Sequence, residues 1–123
     1  MVGPGIWIGR STYVGPHCHM YSERGGVIKI GESVDIGPGC LILTVTHVMG
    51  TSQRRAGPGV VADVDIGTGS WLGARVTVLP GCRLGPGCVV GAGTLLNSVY
   101  PPNSLVVGTP GRVVRTLGED EED

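Results

Sequence analysis

An aliphatic side chain recurs every six residues along most of this chain, usually followed by glycine or another small residue. The repeat reads "IGRSTY", "VGPHCH", "IGESVD" and "IGPGCL", and further along "IGTGSW", "LGARVT" and "LGPGCV". The repeated apolar positions are 8, 14 and 20, then 30, 36, 42 and 48, then 66, 72, 78, 84, 90 and 96. A hexapeptide period is typical of a parallel β-helix, in which each repeat is a short strand followed by a corner. We therefore predict an all-β, single-stranded parallel β-helix of about five triangular coils, with strands stacked roughly 4.8 Å apart.

Strand alternation turns the residue two places before each aliphatic toward the interior as well. These inner residues are all small or β-branched: Ile6, Thr12, Cys18, Ile28, Val34, Cys40, Thr46, Val64, Ser70, Val76, Cys82, Cys88 and Thr94. All four cysteines fall in this class, so we predict buried hydrophobic thiols rather than disulfides or zinc ligands. The glycine after each aliphatic is predicted to permit the unusual backbone angles of a corner.

Composition supports a single folded domain. The 23 glycines among 123 residues would by themselves suggest disorder, but 41% of the residues are hydrophobic, which a disordered chain would not carry. No apolar run approaches the length of a membrane span, and the first residues lack the pattern of a signal peptide. We therefore expect a cytoplasmic protein that does not bind a membrane.

Charge is distributed unevenly along the chain. The last five residues, Glu119–Asp123, are all acidic, whereas the rest of the chain carries nine Lys and Arg against five acids. We predict a β-helix domain over residues 1–117 and an acidic, disordered tail over residues 118–123. The mild positive charge of the body suits an anionic small molecule, and it is too weak and scattered to predict a nucleic-acid partner.

The repeat is interrupted twice. The segment "YSERGG" lengthens the step between residues 20 and 30, and "MGTSQRRAGPG" follows His47. We predict that the second segment protrudes as a loop, because stacked repeats tolerate insertions at their corners, and that the inner phase resumes by residue 66. Alternation places His47 outward at the base of this loop, next to an inward Thr46. It also turns Trp7 and Trp71 outward.

Several of these segments together resemble a known family. The order "TVTH", a loop with arginine, "VDIGTGSWLGARVTVLPGCRLGPGCVVGAGTLL" and "PPNSLVVGTPGRVVR" is similar to hexapeptide-repeat acyltransferases, including the galactoside, maltose and nodulation-factor O-acetyltransferases. The resemblance covers roughly residues 6–115. It implies a left-handed β-helix and a homotrimer that binds acetyl-CoA between neighbouring subunits.

The resemblance also implies roles for individual residues. His47, in the "T-x-T-H" segment, matches the catalytic base. The positions implied to contact acetyl-CoA are Trp71, Ala74, Ala92, Asn97, Arg112 and Arg115. Tyr21 stands where the family often has an asparagine that places the acceptor or the oxyanion.

Arg54 and Arg55 lie in the loop after His47. A loop that leans toward a neighbouring subunit could bring both guanidinium groups to an anionic acceptor, such as a nucleotide sugar.

Acyl transfer from a thioester needs a base for the acceptor's proton and donors for the oxyanion, and histidine titrates close to working pH. We therefore predict acetyl transfer to a hydroxyl or amine of a sugar-type acceptor, with no metal. One alternative is a zinc enzyme of the carbonic anhydrase class with this scaffold, since the chain has three histidines, His17, His19 and His47. The other is a non-catalytic β-helix subunit used only for assembly.

Overall fold

A computed structural model describes residues 5–122 as short β-strands, with no helix among them. Most strands belong to three sheets, which we call A, B and C. Sheet A contains β1 (Ile6–Ile8), β4 (Ile28–Ile30), β9 (Val64–Ile66), β12 (Arg83–Leu84) and β15 (Val99–Tyr100). Sheet B contains β2 (Tyr13–Val14), β5 (Asp35–Ile36), β10 (Trp71–Leu72), β13 (Val89–Val90), β16 (Ser104–Val107) and β17 (Arg112–Thr116). Sheet C contains β3 (His19–Tyr21), β6 (Leu41–Leu43), β11 (Thr77–Val78) and β14 (Leu95–Leu96).

The chain visits sheets A, B and C in turn and then begins the next coil, as the six-residue period predicts. Successive coils lie in register, so that Ile6 pairs with Ile28 and Ile28 pairs with Val64 in parallel ladders. The fifth coil consists of β15 and β16. The all-β character and the parallel stacking predicted from the sequence are therefore confirmed.

The core is a column of the inward residues of each coil. From the second coil onward, the predicted inner positions other than Thr46 and Val48 are buried, including the cysteines at 40, 82 and 88. The inward residues of the first described coil, such as Ile8, Val14 and Cys18, are half-buried, because residues 5–122 cover only one side of that coil. The small and β-branched composition of the interior thus follows from the narrow space inside a triangular coil.

The glycine after each aliphatic has a different role from the one predicted. Gly67 does not adopt a positive φ; instead, a Cβ at this position would lie 2.4 Å from the backbone nitrogen of Pro86 in the next coil. The positive φ of the corner falls two residues later, at Gly69 (77°) and at the equivalent Ser33 (55°). Close stacking of the coils, rather than turn geometry, therefore explains the glycine of the repeat.

Both interruptions lie at the same corner of the prism, between sheet C and sheet A. Residues 22–27 connect β3 to β4, and residues 44–63 connect β6 to β9. The predicted loop is an antiparallel hairpin of β7 (Val45–Met49) and β8 (Ala56–Val61), so it begins before His47 rather than after it. The prediction that Thr46 and Val48 face inward is wrong, because the chain has already left the coil after the buried Thr44 and both side chains are exposed. The inner phase resumes with Val64 and Ile66, as expected.

The last strand, β17, runs antiparallel to β16 and extends sheet B. The chain then turns back through a hydrogen bond of 3.0 Å from the N–H of Glu121 to the carbonyl of Gly118. Residues 1–4 of the predicted domain and residue 123 of the predicted tail lie outside the described residues, and the division at residue 117 stays a prediction. No helix in the described part of the chain is long and apolar enough to cross a membrane.

Candidate active site

The two interruptions of the repeat are joined to each other through Thr44. Its hydroxyl accepts a hydrogen bond of 2.9 Å from the N–H of Glu23 and lies 3.2 Å from the carbonyl oxygens of Tyr21 and Glu23. Gly26 packs directly on this side chain, since a Cβ there would lie 2.5 Å from the Cβ of Thr44. On the other side of the hairpin, the carboxylate of Asp63 accepts a bond of 2.8 Å from the N–H of Val27. The insertion is therefore anchored to both ends of the hairpin.

His47 lies in β7, opposite Gly59 of β8, with an exposed side chain. Its Nδ1 is 2.8 Å from the carbonyl oxygen of Gly57. A carbonyl can only accept a hydrogen bond, so Nδ1 must carry the proton in this contact. In the neutral ring, Nε2 is then the nitrogen with a free lone pair. The hairpin thus fixes both the orientation and the tautomer of the predicted base.

Arg24 reaches the same part of the hairpin. One of its terminal guanidinium nitrogens lies 2.7 Å from the position that a Cβ of Gly59 would occupy. We did not predict a role for Arg24. The ten-residue step between residues 20 and 30 indicates an insertion, but no pattern in the sequence shows that this insertion meets Gly59.

A second group of predicted residues lies on the outer surface of sheet B. Trp71 is 55% exposed and stands in one row with Val89, Leu105 and Arg115 across neighbouring strands. These side chains line a cavity of about 260 Å³ together with Leu117, Glu121 and Glu122. The cavity therefore combines an aromatic floor with a guanidinium group and two carboxylates.

The guanidinium of Arg115 forms a two-pronged ion pair with the carboxylate of Glu121. The hydrogen bonds from Arg115 and from the N–H of Gly118 lower the pKa of Glu121 from 4.5 to about 2. The same contact raises the pKa of Arg115. Arg115, which the family resemblance implies to contact acetyl-CoA, is thus already paired with a carboxylate from the acidic end of the chain.

The remaining predicted residues divide between the two regions. Ala74 and Ala92 stack at the corner between sheets B and C, where the carbonyl of Ala74 accepts a bond of 2.8 Å from the N–H of Gly93. Arg112 pairs with Val107 in the outer strand of sheet B. Asn97 and Tyr21 lie beside the corner between sheets C and A, which also carries His47. Tyr21 stacks on His19 with ring centroids 6.0 Å apart.

Arg54 and Arg55 lie in the turn at the tip of the hairpin, and both are exposed. The guanidinium of Arg55 donates a bond of 3.2 Å to the carbonyl of Gly50, which closes the turn. His47 is located toward the base of the same hairpin. The two arginines therefore project beyond His47 rather than next to it.

One chain alone does not bring the two regions together. The hairpin that carries His47 leaves the corner between sheets C and A, whereas Trp71 and Arg115 lie on sheet B, the opposite face of a triangular coil. The structure thus separates the predicted base from most of the residues predicted to contact acetyl-CoA.

All four cysteines are free thiols; Cys40, Cys82 and Cys88 are buried as predicted, whereas Cys18 is half-buried. Burial raises the pKa of Cys82 to about 12 and also raises the pKa values of Cys40 and Cys88. Deprotonated thiolate, the nucleophilic form, is therefore disfavoured at these positions. The zinc alternative also lacks a ligand set within one chain, since residues 5–122 contain no group of three or more His, Cys, Asp or Glu placed to hold a metal.

Comparison with known proteins points to one class. Residues 63–98 match the family profile described as bacterial transferase hexapeptide (six repeats). A Staphylococcus aureus (strain COL) protein with the provisional name of an acetyltransferase is 39% identical over 118 residues, which are 96% of this chain and 58% of that protein. The chain therefore spans little more than half the length of this relative.

Solved structures show the same fold. A hexapeptide-repeat-containing acetyltransferase from Vibrio cholerae, complexed with acetyl coenzyme A, has a TM-score of 0.85 and 31% identity, covering 95% of this chain and 63% of that one. A maltose O-acetyltransferase from Clostridium difficile has a TM-score of 0.71 and 30% identity, covering 96% of this chain and 70% of that one. Both likenesses extend over nearly the whole of the chain.

Proposed function

This chain belongs to the hexapeptide-repeat acyltransferase family, and we propose that it transfers an acetyl group from acetyl-CoA to a hydroxyl or amine of a sugar-type acceptor. His47 is the general base in this proposal. The proposal is supported most by one contact, the 2.8 Å hydrogen bond between His47 Nδ1 and the carbonyl of Gly57. A neutral imidazole held in this way presents a basic Nε2, which is the form that a general base requires.

The proposed reaction uses a direct attack. Nε2 of His47 takes the proton of the acceptor's hydroxyl or amine while the acceptor atom bonds to the thioester carbonyl carbon. The tetrahedral intermediate then collapses, the carbon–sulfur bond breaks, and the imidazolium returns its proton to the departing thiolate of CoA. No acyl-enzyme forms in this scheme, in keeping with the burial and raised pKa values of the cysteines at 40, 82 and 88.

Acetyl-CoA binding is proposed along sheet B and its corner with sheet C. The apolar row of Trp71, Val89 and Leu105 lines the cavity on sheet B and suits the pantetheine arm, and Ala74 and Ala92 lie at the adjoining corner. Arg112 and Arg115 supply positive charge for the phosphates. Asn97 lies at the corner between sheets C and A, so in this proposal its polar contact with the cofactor comes from the copy that supplies His47. For Arg115 to do so, its guanidinium must exchange the carboxylate of Glu121 for a phosphate group.

We also propose a homotrimer of left-handed β-helices with the active site between subunits. His47 and Trp71 lie on different sides of the prism, so one chain cannot present both to the same acceptor and donor. A second copy that places sheet B next to the hairpin of the first would complete the site. The exposed aromatic side chains of Trp7 and Trp71 support such an apolar contact.

The acceptor is proposed to be a small sugar or sugar derivative, as the name of the maltose O-acetyltransferase suggests for that relative. Tyr21, Arg54 and Arg55 are the proposed acceptor contacts on the hairpin side. The cytoplasmic location expected from the sequence remains part of the same proposal.

A thiol-release assay tests the activity directly. The purified chain is incubated with acetyl-CoA and a panel of neutral, amino and acidic sugars, and acetylated product is identified by mass spectrometry. The proposal predicts acceptor-dependent release of CoA with acetylation of a hydroxyl or amine. Release of CoA that no acceptor stimulates, or no release at all, would overturn it.

A further inference from the structure

We propose that Arg24 makes this site selective for acceptors that carry an anionic group, a carboxylate or phosphate, near the hydroxyl or amine that His47 deprotonates. The inference rests on the proposed function and extends it to a residue outside the sequence motif of the family. It is carried by the backbone conformation of Arg24, the anchoring of its turn, and the position of its guanidinium on the hairpin.

Arg24 is held in a strained backbone conformation. The N–H of Gly26 donates to the carbonyl of Glu23 at 3.0 Å, and the two residues between them, Arg24 and Gly25, have φ values of 53° and 82°. Positive φ at both central positions of a four-residue turn is normally met by asparagine, aspartate or glycine. A long side chain at the first position therefore goes against the local preference of this turn.

The turn has little freedom to move. Its first residue, Glu23, is bonded through its N–H to Thr44, where the hairpin leaves the coil. Val27, the residue that follows the turn, donates its N–H to the carboxylate of Asp63, where the chain returns to the coil. Arg24 is thus fixed relative to the same hairpin that fixes His47.

The guanidinium of Arg24 lies on the same face of the hairpin as His47. His47 and Gly59 are paired across antiparallel strands, so their Cβ positions point to one side, about 4.5–5.5 Å apart. The terminal nitrogen of Arg24 is 2.7 Å from the Cβ position of Gly59. Together these distances bring the guanidinium within about 8 Å of the His47 Cβ, a span that one small sugar can bridge. The missing side chain at Gly59 provides the space for it.

No carboxylate of the described residues neutralises this charge. Within the described part of the chain, Arg115 and Glu121 form a salt bridge, and Arg24 takes part in no salt bridge. A guanidinium presents its donors in a planar fork that matches carboxylate and phosphate groups. An exposed, oriented and unpaired guanidinium beside a general base is therefore suited to the anionic group of an acceptor.

The test compares sugars that differ only in charge. Glucose, glucuronic acid and glucose 6-phosphate, with the corresponding galactose series, are assayed with acetyl-CoA and with wild type, Arg24→Gln and Arg24→Lys. We expect wild type to have the lower KM for acidic sugars, and Arg24→Gln to raise that KM at least about tenfold while the neutral sugars are unaffected. Arg24→Lys should retain part of the preference, and the carboxylate and phosphate arms show which anion is favoured.

Two further variants separate recognition from structure. Gly59→Ala places a methyl group where the guanidinium lies, so it should reduce the preference for acidic sugars without removing the charge. Arg10→Gln, an exposed arginine between β1 and β2, should leave the preference intact. Equal losses for neutral and acidic sugars with Arg24→Gln, or no preference in wild type, would overturn the inference.

Calorimetric measurement of sugar binding in the absence of acetyl-CoA distinguishes failure of the proposed role of Arg24 from failure of the proposed transferase activity. Binding of acidic sugars that depends on Arg24, with no thiol release, would retain the role of Arg24 and reject the transferase. Equal acetyl transfer to neutral and acidic sugars would retain the transferase activity and reject the role of Arg24.

Discussion

The hydroxyl of Thr44 accepts a hydrogen bond of 2.9 Å from the N–H of Glu23 and so joins the two places where the repeat is interrupted. One interruption carries Arg24 and the other carries His47. Thr44 is fully buried, although its neighbours Val45 and Thr46 have already left the coil. This one side chain therefore connects the regular scaffold to both functional segments.

Replacing Thr44 with valine should affect stability and activity together. The methyl group keeps the volume but removes the acceptor for the Glu23 N–H, at a cost of about 1–3 kcal/mol in the free energy of unfolding. Loosening the turn and the hairpin should also lower kcat/KM for acetyl transfer. Thr12→Val is the matched control, since Thr12 makes comparable bonds to Gly31 and Val34 in the first described coil. We expect a similar loss of stability there, measured by urea unfolding, with activity unchanged; equal activity losses in both variants would contradict the account.

Replacing Arg24 with glycine should stabilise the fold while impairing recognition. Glycine relieves the strain of a positive φ, and after the added entropy of the unfolded chain the net gain should be on the order of 0.5–1 kcal/mol. Thermal unfolding should show a higher Tm, whereas the preference for acidic acceptors should fall. Ser33→Gly, at a comparable φ of 55°, should gain stability without changing acceptor preference. A lower Tm for Arg24→Gly would show that the turn is not strained.

Replacing Glu121 with glutamine should improve acetyl-CoA binding. The carboxylate of Glu121 is paired with the guanidinium of Arg115. Removing this charge should free Arg115 for the cofactor and lower KM for acetyl-CoA, whereas Glu119→Gln should leave KM unchanged. Because the pKa of Glu121 is lowered from 4.5 to about 2, the ion pair is fully formed above pH 4.5 and is lost only as pH falls through about 2. The effect of the substitution on KM should therefore be constant from neutral pH down to roughly pH 5. An unchanged KM in Glu121→Gln would show that Arg115 does not meet the cofactor.

Mixing inactive variants tests the shared site. His47→Ala and Trp71→Ala protomers are each expected to be impaired alone. If the site combines His47 of one copy with Trp71 of the next, unfolding and refolding the two variants together should restore part of the activity. Mixed oligomers that are no more active than the separate variants would place both residues in the same copy's site.

The scaffold was predictable because its rule is local. Each hexad repeats the same strand and corner, so positions such as Val34, Leu72 and Val90 could be assigned inward from the sequence alone. The same rule failed at Thr46 and Val48, because periodicity continues through a segment that pairs with a different strand. The glycine after each aliphatic was also explained wrongly by corner backbone angles, because Gly67 is required by its close contact with Pro86 of the next coil.

The site was only partly predictable, since its key contacts are tertiary. His47 could be recognised from its motif, but its bond to Gly57 depends on the register of β7 and β8. The position of the Arg24 side chain depends on a turn that packs on Thr44. The ion pair of Arg115 with Glu121 depends on how the chain folds back after β17. None of these contacts has a spacing that could be read from the sequence.

The turnover number of His47→Gln tests whether His47 is the general base. With saturating acetyl-CoA and acceptor, we expect kcat to decrease by about 10²–10⁴-fold, because general base catalysis contributes that much. His17→Gln, an exposed histidine at a corner between sheets B and C, should retain the wild-type kcat. A His47→Gln variant with near wild-type kcat would contradict the assignment of His47 as the base.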